Sequence, residues 1–467
     1  VGFFYLYGKI RAMAQRHMRY RRLYFFPMLL PLAELVPWLL SLIAAVAGLS
    51  GFFNGPFWAR WRVAILSAGI VALLAAGGSY AYIHKKPAIA EDGTKTVLAE
   101  HYPTPLHFAD ATARPISTPK DFTKLWSVAT QKQILSAPVI YGDALLYGSY
   151  EGSVEAVSIN NGAPLWSLPL TDFVFSLTKG EDSIIYASEG LHYSEDSGFT
   201  ALHAVDGTVL WQRRFYGHLE EAAAHNGTKI WLGTGPGGLW SLNAKDASVL
   251  WHAKIGHIDS EPLLANNRLY VPAQEDTKNA VAQLYALDAD SGKIAWQLPL
   301  KGQPWGSPVL DKTGSLILNS SGMGQIGVTR KTDTGWAQGV SLDGKLVWEV
   351  PLPNMAIQPA SYVADANIVI HATKSGDVIA LDAATGKTAW QVKVGNDLQA
   401  APALYKKGDQ WLLAVTSADG QFALLDALTG HDIKRMLVAK SSTSSPIMAD
   451  DTLYILTAHQ IQAYSLP

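Results

Sequence analysis

A chain of 467 residues with 37 basic and 39 acidic side chains has no positive excess with which to hold nucleic acid. Only 16% of its residues are charged while 48% are hydrophobic, which points to a membrane segment joined to a globular part. The absence of cysteine excludes disulfides, thiolate metal sites, a cysteine nucleophile and a lipoprotein anchor.

In chain order, residues 1–22 hold Lys9, Arg11, Arg16, Arg19, Arg21 and Arg22, a basic segment expected on the cytoplasmic side. The apolar stretch 23–53 carries Pro27, Pro31, Glu34 and Pro37, and reads as a hairpin or as a single span from Leu35. Residues 63–83 are uncharged and long enough for one transmembrane helix, with Trp58, Trp61, Tyr80 and Tyr82 at its ends as interfacial anchors. Arg60 and Arg62, between the two stretches, favour a hairpin followed by one crossing. That topology places the rest of the chain in the periplasm, anchored to a bacterial inner membrane. Two full crossings would return it to the cytoplasm, and Lys85 and Lys86 lean that way. No cleavable leader is expected, because the apolar run is too long and too late. Residues 87–124, with Pro87, Pro103, Pro105, Pro115 and Pro119, read as an extended linker.

From residue 125 to 467 one pattern repeats. Trp126, Trp166, Trp211, Trp251, Trp296, Trp348 and Trp390 follow one another at intervals of 40–52 residues, the period of a propeller blade. The fullest copies are Ala380-Leu381-Asp382-Ala383-Ala384-Thr385-Gly386-Lys387-Thr388-Ala389-Trp390 and the eleven residues ending at Trp296. Ala-Leu-Asp closes a strand, the glycine supplies a turn's positive φ, and the tryptophan opens the next strand. A large ring at a fixed place per repeat suits packing between neighbouring sheets. A Ser/Ala-Pro start recurs at Pro138, Pro262, Pro308, Pro402 and Pro446, followed by alternating apolar strands such as 139–147. Each repeat therefore predicts one four-stranded antiparallel sheet. The seventh copy ends with Arg435 where tryptophan is expected, the last repeat lacks an outer strand, and the strand of Trp126 has no blade before it. Ring closure by the N-terminal strand gives an all-β propeller of eight blades, with seven as the alternative count.

These repeats resemble the quinoprotein-type (PQQ-like) propeller family over roughly residues 120–467. The resemblance implies the propeller fold and two divergent kinds of function. The family includes PQQ-dependent dehydrogenases, with long insertions that build a cofactor chamber, and compact non-catalytic BamB-like propellers. At about 43 residues per blade this chain looks like the compact kind.

The residues themselves offer no catalytic constellation. Asp206, Asp288, Asp343, Asp382 and Asp426 lie in the repeat turns, where they have a structural reason to exist. No His-x-His or His-Glu-x-x-His spacing is present, so no metal site is expected and the histidines read as loop residues. Gly-Thr-Gly-Pro-Gly-Gly at 233–238 lacks the Lys-Ser/Thr of a phosphate loop and reads as a turn, as does Asn226-Gly227. The connections between blades carry Phe173, Tyr216, His218, His257, Trp305, Met355 and Leu398, which form a candidate partner-binding ring mouth, although part of the set could simply cap the channel. The expected function is a membrane-anchored, non-catalytic scaffold or accessory subunit. It would hold no cofactor and contact other membrane-complex proteins. The alternative is a compact membrane-bound PQQ-dependent dehydrogenase.

Overall fold

Eight antiparallel sheets succeed one another along the chain in the computed structural model. The structure describes residues 94–96 (backbone only), 102–108, 122–191, 194, 196–274, 281–322, 333–439 and 444–467. The basic segment, the apolar stretch 23–53 and the helix expected over 63–83 lie outside these residues. Among the described residues no helix is long and apolar enough to cross a membrane.

Blades 1 to 7 occupy residues 139–169, 174–215, 224–253, 263–299, 303–352, 361–393 and 403–437, each with four strands in chain order except blade 5, whose first strand is split into Gln303–Pro304 and Val309–Leu310, both pairing with Ser315–Ser321. Blade 8 takes three strands from 447–465 and its fourth from Lys124–Ala129, which pairs antiparallel with Gln460–Ser465. The expected closure is therefore observed, and it ties residues more than 300 positions apart: Thr123 N donates to Ser465 Oγ at 3.0 Å. Near the axis, the serines of the Ser-Pro starts link neighbouring blades. Ser307 Oγ accepts from Glu261 N at 2.8 Å, and Ser445 Oγ accepts from Ala401 N at 3.0 Å.

The hydrophobic core is divided among the seams between blades. Tyr186, Phe199 and Trp211 of blade 2 pack with Ile230, Leu232 and Leu242 of blade 3. Comparable clusters join blades 1 and 2, 3 and 4, 4 and 5, 5 and 6, 6 and 7, 7 and 8, and 8 and 1. Each sheet thus buries both faces, and stability resides in interfaces between neighbours.

The periodic tryptophans sit on the fourth strands, and each is held in the seam to the next blade by two contacts across it and one within its own sheet. First, the indole Nε1 donates across the seam to a main-chain oxygen just after that blade's third strand. Trp126, Trp166, Trp211, Trp251, Trp296, Trp348 and Trp390 donate to Ile159, Ala204, Ala244, Ala289, Leu342, Ala383 and Ala427 at 2.9–3.2 Å. Second, the ring lies on the turn glycine of that next blade. A Cβ built on Gly386 would stand 2.6 Å from Trp348, and one on Gly430 would stand 2.6 Å from Trp390. The glycine is thus required for its left-handed φ and also for the space above it. In blade 3, Ala247 holds this turn at φ 57° and packs in the Trp211 cluster. A left-handed alanine puts roughly 1 kcal/mol of strain into that seam. Third, each ring faces a small residue on its own third strand: Ala463, Ala156, Ala201, Ser241, Ala286, Gly339 and Ala380 pair with the seven tryptophans in order. The register shifts at this pair in every blade, so one extra residue precedes each tryptophan. Such a bulge re-aims the following side chain, here toward the next blade.

Blade 7 departs from the pattern, and the register corrects the assignment made from sequence. Lys434, not Arg435, occupies the tryptophan position, and it faces Leu424 instead of a small residue. Blade 8 takes its fourth strand from Lys124–Ala129, so no hairpin turn follows its third strand and no turn glycine is offered to a ring. Phe122 fills the seam, with its ring centroid 5.1 Å from Tyr464 and 6.2 Å from Phe422, under the Lys434 ammonium at 5.8 Å.

The segment read as a free linker is partly built into the ring. Thr94–Thr96 pairs with the fourth strand of blade 2, and Leu106–His107 pairs with that of blade 1. Both blades thereby become five-stranded, with the outer edge of each partly covered.

Candidate functional site at the ring mouth

The connections from each fourth strand to the next first strand hold six of the residues singled out for the mouth, while Trp305 lies inside blade 5 between Gln303–Pro304 and Val309–Leu310, and the structure divides the set by exposure. Tyr216 is 45% exposed. Phe173 is half-buried with its ring 4.4 Å from Tyr150, and Trp305 is half-buried. Met355, Leu398 and His218 are buried, which fits the capping alternative for these members of the set and leaves them no exposed side chain for docking. Leu398 packs in the seam of blades 6 and 7, and the Met355 carbonyl accepts the Lys374 amide at 2.8 Å. Side-chain type alone does not separate a displayed apolar group from one that caps a seam.

The two histidines of the set converge on a residue that sequence reading missed. His218 Nε2 lies 3.0 Å from Asp259 Oδ1, His257 Nε2 lies 2.9 Å from the same oxygen, and the imidazole centroids are 4.9 Å apart. His218 comes from the connection between blades 2 and 3; His257 and Asp259 come from the next connection. Burial opposes ionisation of Asp259, but the hydrogen bonds to both histidines outweigh it and hold the carboxyl well below the usual range. The signal was the repeat itself. His218 and His257 occupy equivalent connections of successive blades, which the propeller places side by side, and Asp259 follows at His-x-Asp spacing.

The main chain around this group is held from both sides. His257 N donates to Gln274 O at 2.6 Å, and Gln274 N returns a bond to His257 O at 3.0 Å. Ile258 N donates to Gly235 O at 3.2 Å. Gly235, at φ 51°, presses on His218, since a Cβ there would lie 2.3 Å from the imidazole. The Gly-rich stretch 233–238 is thus a hairpin turn, as expected, and it also walls the His218 ring. Asn226-Gly227 likewise forms a turn, closed by Asn226 N to Lys229 O at 3.1 Å.

Acidic groups adjoin the cluster. Burial, then the charges of Asp259, Glu220 and Glu261, push the Glu221 carboxyl well above its ordinary value. Burial pushes Glu261 up to about 7. Glu261 also lines a cleft of about 460 Å³ with Thr178, Lys179, Ala223, His225 and Leu263, where blades 2, 3 and 4 meet. Farther round, Lys374 is buried with Nζ 3.7 Å from Asp397 Oδ1, and Asp397 Oδ2 accepts from Gln399 Nε2 at 2.6 Å. Sequence reading singled out neither Lys374 nor Asp397.

Comparison with known proteins bears on this architecture. The family model described as outer membrane protein assembly factor BamB matches residues 116–212 and 333–466. The chain is 21% identical over 353 residues to the outer membrane protein assembly factor BamB of Yersinia pestis, covering 71% of this chain and 86% of that protein. It is 22% identical over 405 residues to the dehydrogenase subunit of a quinone-type alcohol dehydrogenase of Komagataeibacter europaeus, covering 71% of this chain and 52% of that protein. Among solved structures, BamB from Moraxella catarrhalis superposes with a TM-score of 0.56 at 16% identity, over 74% of this chain and all of that one. A europium-containing methanol dehydrogenase superposes with a TM-score of 0.54 at 13% identity, over 76% of this chain and 95% of that one. Both structural likenesses speak to the fold alone.

Proposed function

From a ring built of PQQ-like repeats of the BamB kind, we propose a non-catalytic propeller that holds protein partners within a bacterial membrane-associated assembly complex. One observation carries the reading. The sequence aligns over 86% of a BamB but over 52% of the quinone-type dehydrogenase subunit. The segments 23–53 and 63–83 tether the ring to the inner membrane, with the propeller on the periplasmic side. The docking surface includes Tyr216, Phe173 and Trp305, whose broad rings give contact area at little entropic cost. No PQQ takes part in this reading.

A compact membrane-bound quinoprotein dehydrogenase is the second reading, favoured by the match to the alcohol dehydrogenase subunit. One preparation separates the two. The full chain is purified in mild detergent, its co-purifying proteins are identified by mass spectrometry, and its absorbance and dye-reducing activity are recorded. Stoichiometric membrane-complex partners without a quinone band support the scaffold. A bound quinone with dye reduction by alcohols or sugars overturns it.

A further inference from the structure

We propose that His218, His257 and Asp259 form a binding site for one divalent transition-metal ion of the zinc class, clamping the connections on either side of blade 3. Three observations carry this. The donor set is two imidazoles and one carboxylate, which suits zinc, cobalt, nickel or ferrous ions and is too poor in oxygen for calcium. The three ligand atoms all lie within 4.8 Å of one another, and both Nε2 atoms stand about 3 Å from a single Asp259 oxygen. A tetrahedral ion with bonds of about 2.0–2.1 Å needs its ligand atoms roughly 3.3 Å apart, so the two nitrogen–oxygen distances must open by a few tenths of an ångström and the two Nε2 atoms, within 4.8 Å of each other, must settle at the same spacing.

The third observation is preorganisation. His257 and Asp259 ride on a segment pinned by main-chain bonds to Gln274 on one side and Gly235 on the other. Gly235 leaves only enough room for the His218 ring to lie against the turn. Ligands held by a fixed main chain lose little entropy when an ion arrives. Side-chain exposure rises from 2% at His218 to 9% at Asp259 and 16% at His257, so an ion enters past His257 and keeps a position for water or a partner's side chain.

The same contacts without an ion would be a hydrogen-bonded latch, and the two differ in a measurable way. The full chain, purified in detergent and stripped with a chelator, is titrated with Co²⁺. The expected result is one equivalent taken up, with visible d–d bands, displaced by Zn²⁺ and accompanied by a rise in Tm. Replacing the buried His218 risks the fold, so the deciding variants are His257→Ala and Asp259→Asn, with their fold checked by circular dichroism. Uptake should fall at least tenfold in both. Absence of stoichiometric binding in the unaltered chain overturns the proposal, as does unchanged uptake in folded His257→Ala. Either result leaves the latch in place, and neither bears on the scaffold reading.

Discussion

Substitution of Gly386 by alanine isolates the contact on which the blade seams depend. Two costs add. Gly386 sits at φ 70°, where an alanine costs about 1–2 kcal/mol. Its new Cβ would stand 2.6 Å from Cε3 and 2.8 Å from Cδ2 of Trp348. That ring has little freedom to retreat, being 9% exposed and fixed by its Nε1 bond to Ala383 O at 2.9 Å. Forcing a methyl into such a place costs a further ~1–3 kcal/mol. Gly408 provides the control: its φ is 57° and nothing lies within 4 Å of a Cβ placed there, so only the conformational cost applies. Equilibrium urea unfolding of the two variants should therefore differ by about 1–3 kcal/mol at equal m-value. In a Trp348→Ala background the Gly386→Ala cost should shrink to that of Gly408→Ala, because the clash partner is gone. Equal costs for Gly386→Ala and Gly408→Ala in the unaltered background would refute the seam argument.

Three further outcomes are expected. His371 is buried in blade 6, neither ring nitrogen has a partner among the described residues, and burial lowers its pKa from 6.5 to about 4. The unfolded chain then binds the extra proton first, so stability is intact above pH 6.5 and falls as pH drops toward 4, by up to about 3 kcal/mol. His371→Leu should flatten that slope in thermal melts taken across this window, and a slope that persists argues against His371 as its source. Phe122→Ala, at the ring-closing seam, should cost about 2–3 kcal/mol in unfolding measurements, whereas a loss below about 0.5 kcal/mol would mean the seam does not rest on that ring. At Leu424 and Lys434, Leu424→Ala opens space and Lys434→Trp overfills it. The double variant should be more stable than the sum of the two singles by about 1 kcal/mol or more, and strict additivity would contradict the size pairing.

The fold was legible because its cause is periodic. The tryptophan, the strand end and the turn glycine recur together since one contact joins them at seven of the eight seams, with Ala247 in the glycine's place at one of these. The sequence also showed the eighth blade, because a strand without a blade at one end matched a blade without a strand at the other. One position was misplaced by a single residue: Asp382 stands eight residues before Trp390 and Asp426 eight before Lys434, so repeat and sheet agree on Lys434 and Arg435 lies one place too far. The edge strands at 94–96 and 106–107 escaped for a different reason: two or three residues pairing with a remote blade leave no periodic trace.

The mouth was half legible, and the reason is physical. Position in a connection can be read from the repeat, so Phe173, Tyr216, His218, His257, Met355 and Leu398 fall in the expected segments, whereas Trp305 lies in a break of the first strand of blade 5, which no repeat announces. Direction cannot be read that way. Leu398 turns inward into the seam of blades 6 and 7 and Met355 is buried, while Tyr216 turns outward with the same apolar character. For polar residues the repeat carries more information than a local motif. Two histidines 39 positions apart make no recognisable spacing in a linear search. In a ring whose blades advance by about that number they occupy adjacent connections, and an aspartate two residues beyond the second completes the group. Chemistry at the mouth of such a ring is therefore best sought by stacking the repeats and comparing equivalent connections. The His218, His257 and Asp259 group lies in two successive connections, where that comparison would find it.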